Sequence, residues 1–172
     1  MTDEGSRQRL WPILGSLLFL AAAPGTVAGW VPFWLTGWRI ARPFFGVAIL
    51  PFVGGVLVLA GMASVVDSFA RFALVGLGTP APVAPPTQLV VSGQYRYVRN
   101  PMYVAVLSIV LGQSLIFGSG VLLRYAGLLW VLFHLFVVLY EEQTLAARFG
   151  QSYAEYRRNV RRWWPRTSPW HG

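Results

Sequence analysis

The residues able to do chemistry form three groups in the second half of the chain. The first is Gly93-Gln94-Tyr95-Arg96-Tyr97-Val98-Arg99-Asn100-Pro101-Met102-Tyr103. Pro101 suits the first turn of a helix, where its missing N–H costs nothing. Free amides and the macrodipole make such a helix start attractive to anions, and Arg96 and Arg99 stand beside it. The plainer reading is that these arginines grip phosphate headgroups while the tyrosines sit in an interfacial belt. The second group is Glu141-Glu142. At the end of a helix both acids oppose its dipole, which favours cations there. They serve either as ion-pair partners for Arg148 or Arg96, or as ligands for a cationic or hydroxyl-bearing molecule. The third group is Tyr153, Tyr156, Arg157, Trp163 and Trp164, followed by Pro165-Arg166. Such rings hold cations against their π-faces and equally favour membrane interfaces.

Other chemistries find little support. His134 has no second histidine or acid at metal-ligand spacing, so it reads as a packed or lipid-facing side chain and no metal site is expected. Ser108 and Ser114 have no base nearby in sequence. With Cys 0 there is no thiolate nucleophile and no disulfide framework. Neither a phosphate-binding Walker loop nor a dinucleotide-binding glycine pattern occurs.

The elements that position these residues are membrane helices. Hydrophobic residues make up 55% and charged ones 12% of the 172 residues, against roughly 25% charged in soluble domains, and the mean hydropathy is +0.53. Too little polar surface exists to cover a soluble globule of this size. The expected fold is all-α: one domain over 1–172, an integral membrane bundle of four to five transmembrane helices with a C-terminal amphipathic helical cap. Spans are expected at about 11–35, 44–66, 102–117 and 121–140. Pro24, Gly25, Gly29 and Pro32 make the first a kinked helix or a hairpin. Arg7 and Arg9 ahead of the apolar run Leu10 to Ala23 also suit a signal peptide, but the run continues through Trp30, Phe33 and Trp34, which favours an uncleaved span. Gly54-Gly55 permits close helix contact in the second.

The connector 76–100 opens with GLGTPAPVAPP, which cannot continue a helix, and has β-like character at Gln88 to Val91. Gly118-Ser119-Gly120 forms a tight turn between spans three and four. In the tail, 141–165, Leu145, Phe149, Tyr153, Tyr156, Val160 and Trp163 recur at helical spacing and line one face. Gly150 ends a first piece of helix, and Ser152 with Glu155 fits a capping box that starts a second. Such a tail lies in the headgroup layer or packs under the bundle.

Net charge is +8, and all 14 basic residues are arginine. Among membrane spans this balance indicates cytoplasmic flanks and anionic lipid headgroups, not nucleic acid. Arg7, Arg9, Arg71, Arg96, Arg99, Arg148, Arg157, Arg158, Arg161, Arg162 and Arg166 fall on one side, leaving Arg39, Arg42 and Arg124 on the other. The positive-inside rule then puts both termini and the connector in the cytoplasm.

GQYRYVRNPMY at 93–103, YEE at 140–142 and FGQSYAEYRRNVRRWWP at 149–165 together resemble the isoprenylcysteine carboxyl methyltransferase family and the related phospholipid methyltransferases. That family's pattern is G-x-Y-R-Y-x-R-H-P-x-Y, a helix ending in E-E, then F-G-x-x-Y-x-x-Y-x-x-x-V-x-R-W-x-P. The resemblance covers roughly the last half of the chain, and three ordered motifs are far more specific than one. Asn100 stands where the family usually has histidine, and its amide cannot become cationic.

The resemblance implies a multi-pass membrane methyltransferase using S-adenosylmethionine, bound in a cytoplasm-facing pocket roofed by the tail, with a lipophilic acceptor entering from the bilayer. It implies cofactor contacts from Tyr95, Arg99, Asn100, Pro101, Tyr103, Glu141, Glu142, Tyr153, Tyr156 and Trp163. Glu141 and Glu142 would take the ammonium or ribose hydroxyls and Arg99 the carboxylate. Tyr103, Tyr153, Tyr156 or Trp163 would flank the adenine or sulfonium. Arg99 and Glu142 are the catalytic candidates, with Glu142 the general base for an amine or hydroxyl acceptor. The alanine-, arginine- and glycine-rich composition suggests a bacterial inner membrane. An NADPH-dependent membrane lipid or sterol reductase is the competing enzyme, although those tend to P-N-Y where this chain has Pro101-Met102-Tyr103. A small transporter subunit or scaffold is the non-enzymatic reading, weakened because spans one and two hold no acid and Asp67 lies only at the end of the second.

Overall fold

The computed structural model describes residues 22–74 and 89–171. The described residues are helical with no strand, so the β-like character expected at Gln88 to Val91 is absent from 89–91, while Gln88, the GLGTPAPVAPP segment, Arg7, Arg9 and the beginning of span one lie outside the described residues. A π-helical turn, Thr26–Trp30, leads into α1 (Val31–Thr36); α2 is Leu50–Leu74, α3 Pro101–Phe117 and α4 Gly120–Phe136; a second π-helical turn, Val137–Glu141, leads into α5 (Glu142–Asn159).

Pro32 explains the first π-helical turn. It has no N–H to offer the carbonyls a turn before it, and neighbouring helices supply the donors instead. Gln113 Nε2 donates to Ala28 O at 2.6 Å and Tyr125 Oη donates to Val27 O at 3.0 Å. In an apolar surrounding an unpaired carbonyl is costly, so these two side chains fix where the first helix leans on α3 and α4. Over its described part the first span is a distorted helix.

The second helix starts later and ends later than its apolar run suggests. Phe44–Gly46 is a single 3₁₀ turn with Phe45 and Gly46 at positive φ, and the helix begins at Leu50, which puts Pro51 in the first turn where it is tolerated. Beyond Val66, Asp67 and Arg71 pair one turn apart (Nε to Oδ2, 2.8 Å) and carry the helix on. Helices α2 and α3 touch backbone to backbone. A Cβ on Gly54 would lie 2.5 Å from Gly112 O, and one on Gly61 would lie 2.7 Å from Ala105 O, whereas Gly55 meets nothing within 4 Å. Small residues on one face of each helix make this approach possible. Val65, Phe69, Ala105, Val106, Ile109, Val110, Ala126 and Leu129 fill the core beside it.

Gly118 takes the left-handed conformation that ends α3, with Ser119 N donating to Ser114 O at 2.9 Å. The tight turn is thus where the sequence puts it. Leu50–Phe72 and Gly120–Asn159 are long and apolar enough to cross a membrane, and α3 is a shorter apolar helix. Phe52, Val56, Leu59 and Met62 of α2, and Leu128, Leu132, Leu135 and Leu139 at and beyond α4, face outward. An apolar outer surface of this extent needs lipid against it.

The apolar run of the last long helix stops at Tyr140, but the helix passes through the π-helical turn directly into α5. Gly150, at φ 50 and ψ −119, bends α5, which then continues to Asn159 without the reciprocal Ser152–Glu155 cap. Glycine alone makes the bend, because that backbone conformation is open to few other residues. After Asn159 the chain folds back as a strap. Arg99 N donates to Arg161 O (2.9 Å), Arg166 N to Tyr97 O (2.9 Å) and Trp170 N to Arg96 O (3.1 Å), lacing the C-terminal segment to the 93–100 loop.

Candidate active site

The 93–100 loop is fixed from two sides. Gly93, at φ 52, lets the Arg71 guanidinium lie where a Cβ would stand. Gln94 Nε2 donates to Asp67 Oδ2 at 2.9 Å and to Ser64 O at 3.2 Å, and Ser64 Oγ donates to Gln94 Oε1. From the other side Tyr156 Oη donates to the carbonyl of Tyr95 at 2.7 Å. The loop that carries Arg99 and Asn100 is therefore bound to α2 through polar side chains and to α5 through a phenol.

The two adjacent acids go to different environments. One residue turns a helix by roughly 100°, and the π-helical turn that ends at Glu141 adds a further local shift, a distortion that recurs at functional sites. Glu142 is buried at the centre of an arginine cluster. Arg162 donates to both its oxygens, Nε to Oε1 at 2.6 Å and Nη2 to Oε2 at 3.0 Å; Arg99 Nη1 lies 3.0 Å from Oε1, and Arg157 Nε 4.0 Å from Oε2. Burial alone would raise its pKa, but the Arg162 hydrogen bonds and the charges of Arg99, Arg162 and Arg157 outweigh it and hold the carboxyl below its ordinary value. The same hydrogen bonds, from the other end, raise Arg162.

Glu141, just past the apolar run, is the opposite case. Burial raises its carboxyl, the hydrogen bond from Tyr103 offsets part of this, and the nearby charge of Glu142 adds to the rise. Tyr103 Oη donates to Oε2 at 2.8 Å. Among the described residues no arginine pairs with Glu141.

A cavity of about 290 Å³ lies between these segments. Tyr95, Arg99, Asn100, Tyr103, Glu141, Tyr153 and Tyr156 line it, so seven of the residues that the motifs single out face one space. Val27, Met102, Val106, Phe133, Phe136 and Phe149 give it an apolar wall. Arg99 Nη1 is taken by Glu142 and by Tyr153 Oη at 3.3 Å, while its Nε is buried with no partner among the described residues. Asn100 Nδ2 donates to Arg162 O at 3.2 Å, so the residue at the family's histidine position ties the loop to the strap. Burial raises the Tyr95, Tyr153 and Tyr156 phenols, which stay neutral.

Three motif residues lie outside that lining. Pro101 is buried at the start of α3. Glu142 faces the arginines. Trp163 donates Nε1–H to His134 Nδ1 at 3.2 Å, and the His134 ring lies between Trp130 (centroids 5.5 Å) and Trp163 (6.0 Å), which makes His134 a packed residue that latches the strap to α4. Further residues complete the wall. Leu145 and Phe149 belong to the apolar stripe of the tail and were visible as such. Ala23, Val27, Phe133 and Thr144 line the cavity without any local signal. Arg162 looked like one of several equivalent tail arginines until the fold set it against Glu142.

Comparison with known proteins places the chain among relatives. A family model described as phospholipid methyltransferase matches residues 49–152. The chain is similar to the protein-S-isoprenylcysteine O-methyltransferase of Schizosaccharomyces pombe, 38% identical over 73 residues, which is 42% of this chain and 30% of the yeast protein. No solved structure matches. The family match covers more than half of the chain and takes in α2, the fixed loop, α3, α4 and the paired acids: the chain belongs to the phospholipid methyltransferase family.

Proposed function

We propose that this chain is an integral membrane methyltransferase that draws its methyl group from S-adenosylmethionine and passes it to a lipophilic acceptor. The observation that carries the reading is one cavity with a polar end, at Arg99 and Glu141, and an apolar wall of Val27, Phe133 and Phe136. The residues present fit the donor. Arg99 offers a buried, unpartnered Nε to its carboxylate. The rings of Tyr95, Tyr153 and Tyr156 offer faces to the adenine and the sulfonium. Bound there, the donor supplies an electrophilic methyl group on a positive sulfur.

The protein's part is to orient and to exclude water. Glu142 and Tyr153 hold the Arg99 guanidinium, and the strap, pinned through Arg162 and three backbone hydrogen bonds, covers the loop. Positioning of this kind supplies much of the rate in an in-line displacement. The chain functions as one domain, with four spans, and the end that carries the motifs faces the cytoplasm, as the arginine distribution supports. The yeast relative's name points to a prenylated acceptor; the apolar wall supports a lipid-like acceptor here without specifying its headgroup.

Calorimetry of the detergent-purified chain with S-adenosylhomocysteine tests the reading. Binding that NADPH does not displace is expected, weakened at least about tenfold by Arg99→Gln, which removes a charge-assisted contact. No binding to the unaltered protein would refute it.

A further inference from the structure

The end of the bundle away from the cavity is built from the loop 37–49 and the turn between α3 and α4. Ala41 N donates to Phe117 O at 3.0 Å, and a Cβ on Gly118 would lie 2.2 Å from Arg42 O, so the loop rests directly on that turn. Gly37, in the left-handed conformation, stops α1, and Trp38 N donates to Thr36 Oγ1 at 3.2 Å. The loop is thus held in shape by the turn beneath it and the helix before it.

Two features of this end are unexplained by the chain's own packing. The first is its aromatic residues. Trp38 (φ 50) and Phe45 (φ 55) are bulky side chains at positive φ, a conformation that strains residues other than glycine. The Phe45 ring is 97% exposed, so burial within the chain does not offset that strain. The second is its charge. Arg39, Arg42 and Arg124 are exposed, and their side chains take no hydrogen bond or ion pair among the described residues. The described acids lie elsewhere: Asp67 against Gln94, Glu141 and Glu142 at the cavity end, and Glu155 on α5. Arg124 stands one turn into α4, and helical side chains lean toward the N-terminus of their helix, which here is the loop end.

We infer that this end is a binding site for the phosphates of anionic lipids. Phe45 and Trp38 enter the acyl boundary of one leaflet, and Arg39, Arg42 and Arg124 meet the headgroups around them. The outward apolar surface of α2 runs without a break from Phe52 through Ile49 to Phe45, so the ring continues a lipid-facing wall. Tryptophan favours the same boundary, and a guanidinium offers a phosphate paired donors. Three cations with no acid beside them leave a charge that an anionic headgroup neutralises, whereas a choline headgroup brings a cation of its own. Free phosphate would neutralise the arginines and leave Phe45 in water. A second copy of the chain, docked by the same surface, would set the arginines against themselves. The cavity residues take no part, so the site stands whatever reaction the chain performs.

The chain has no cysteine, so Val47→Cys carries one environment-sensitive fluorophore beside Phe45, and Ser168→Cys carries it on the strap as a reference. Each labelled chain is placed in phosphatidylcholine vesicles containing a small fraction of spin-labelled phosphatidylglycerol or phosphatidylcholine. At position 47, spin labels near the headgroup should quench more than labels deep in the acyl chain. Phosphatidylglycerol should reach equal quenching at a concentration at least about fivefold lower than phosphatidylcholine, with the difference lost in high salt. Arg39→Gln/Arg42→Gln/Arg124→Gln should reduce the difference at 47 to less than about twofold and leave quenching at 168 unchanged, which also shows that the variant is folded and inserted. Phe45→Ser should move the fluorophore at 47 into water without shifting the denaturant midpoint. Equal quenching by the two lipids, or a preference that survives the triple substitution, overturns the inference. So does its loss to inorganic phosphate at matched ionic strength, which would make this a site for the free anion. Self-quenching between labelled chains with no access for lipid would make it an interface between copies and overturn it too.

Discussion

Removal of the Glu142 carboxylate should release the C-terminal strap. The Arg99 side chain is 9% exposed and sits 3.0 Å from Glu142, while the Arg162 side chain is 26% exposed and donates to both carboxylate oxygens. In Glu142→Ala, Arg99 keeps only the longer hydrogen bond to Tyr153, at 3.3 Å. Removing one partner of a buried ion pair costs about 3–5 kcal/mol, because the other charge stays uncompensated. Arg162 can turn toward water, which places the change at the lower end, about 3 kcal/mol. At roughly 1.4 kcal/mol per factor of ten, this is on the order of a hundredfold rise in the population with the strap detached. Limited trypsin digestion in micelles reads that population directly through cleavage after Arg157, Arg158 or Arg161, with unfolding by denaturant as a second measure. Cleavage should accelerate by that factor, and S-adenosylhomocysteine should bind at least about tenfold more weakly because Arg99 is no longer oriented. A strap as protected as in the unaltered chain, with less than about 1 kcal/mol lost, would show that Glu142 is not the buried clasp described here.

Gly112→Ala should destabilise the bundle by about 1–3 kcal/mol, since its Cβ would meet Gly54 O at 2.5 Å, whereas Gly55→Ala, with open space around it, should be near neutral; denaturant midpoints compare the two. Gln113→Leu and Tyr125→Phe each leave a carbonyl of the first π-helical turn without its donor and should cost about 1–3 kcal/mol by the same measure. The folded-state carboxyl of Glu142 is depressed, so its stabilisation is fully present above the ordinary glutamate value of about 4.3 and fades as pH falls through the lower folded value. Strap protection measured with an acid-active protease should therefore decline more steeply on acidification in the unaltered chain than in Glu142→Gln, which has no such group to protonate.

Much of this protein is legible one residue at a time. The apolar runs, the glycine turn at 118, the bend at Gly150 and the helix start at Pro101 follow from local rules: side-chain hydrophobicity, the missing proline N–H and the freedom of glycine at positive φ. The three motif segments were visible for the same reason, since residue types and spacings are properties of the chain. Helix ends were less certain. The second helix outlasts its apolar run because Asp67 and Arg71 pair on its surface, a contact that hydropathy does not record.

What only the tertiary structure decided is which partner each polar group takes. Glu141 and Glu142 are identical in sequence terms, yet one faces an apolar cavity beside Tyr103 and the other meets three arginines. Arg162 is set apart from its neighbours in the same way, and Trp163 leaves the cavity for His134. These outcomes depend on helix phase, on the extra backbone residue of a π-helical turn and on the strap folding back over a distant loop. Each residue's hydrophobicity and charge are fixed before folding, but the direction a side chain points and the group it meets exist only once the helices have packed.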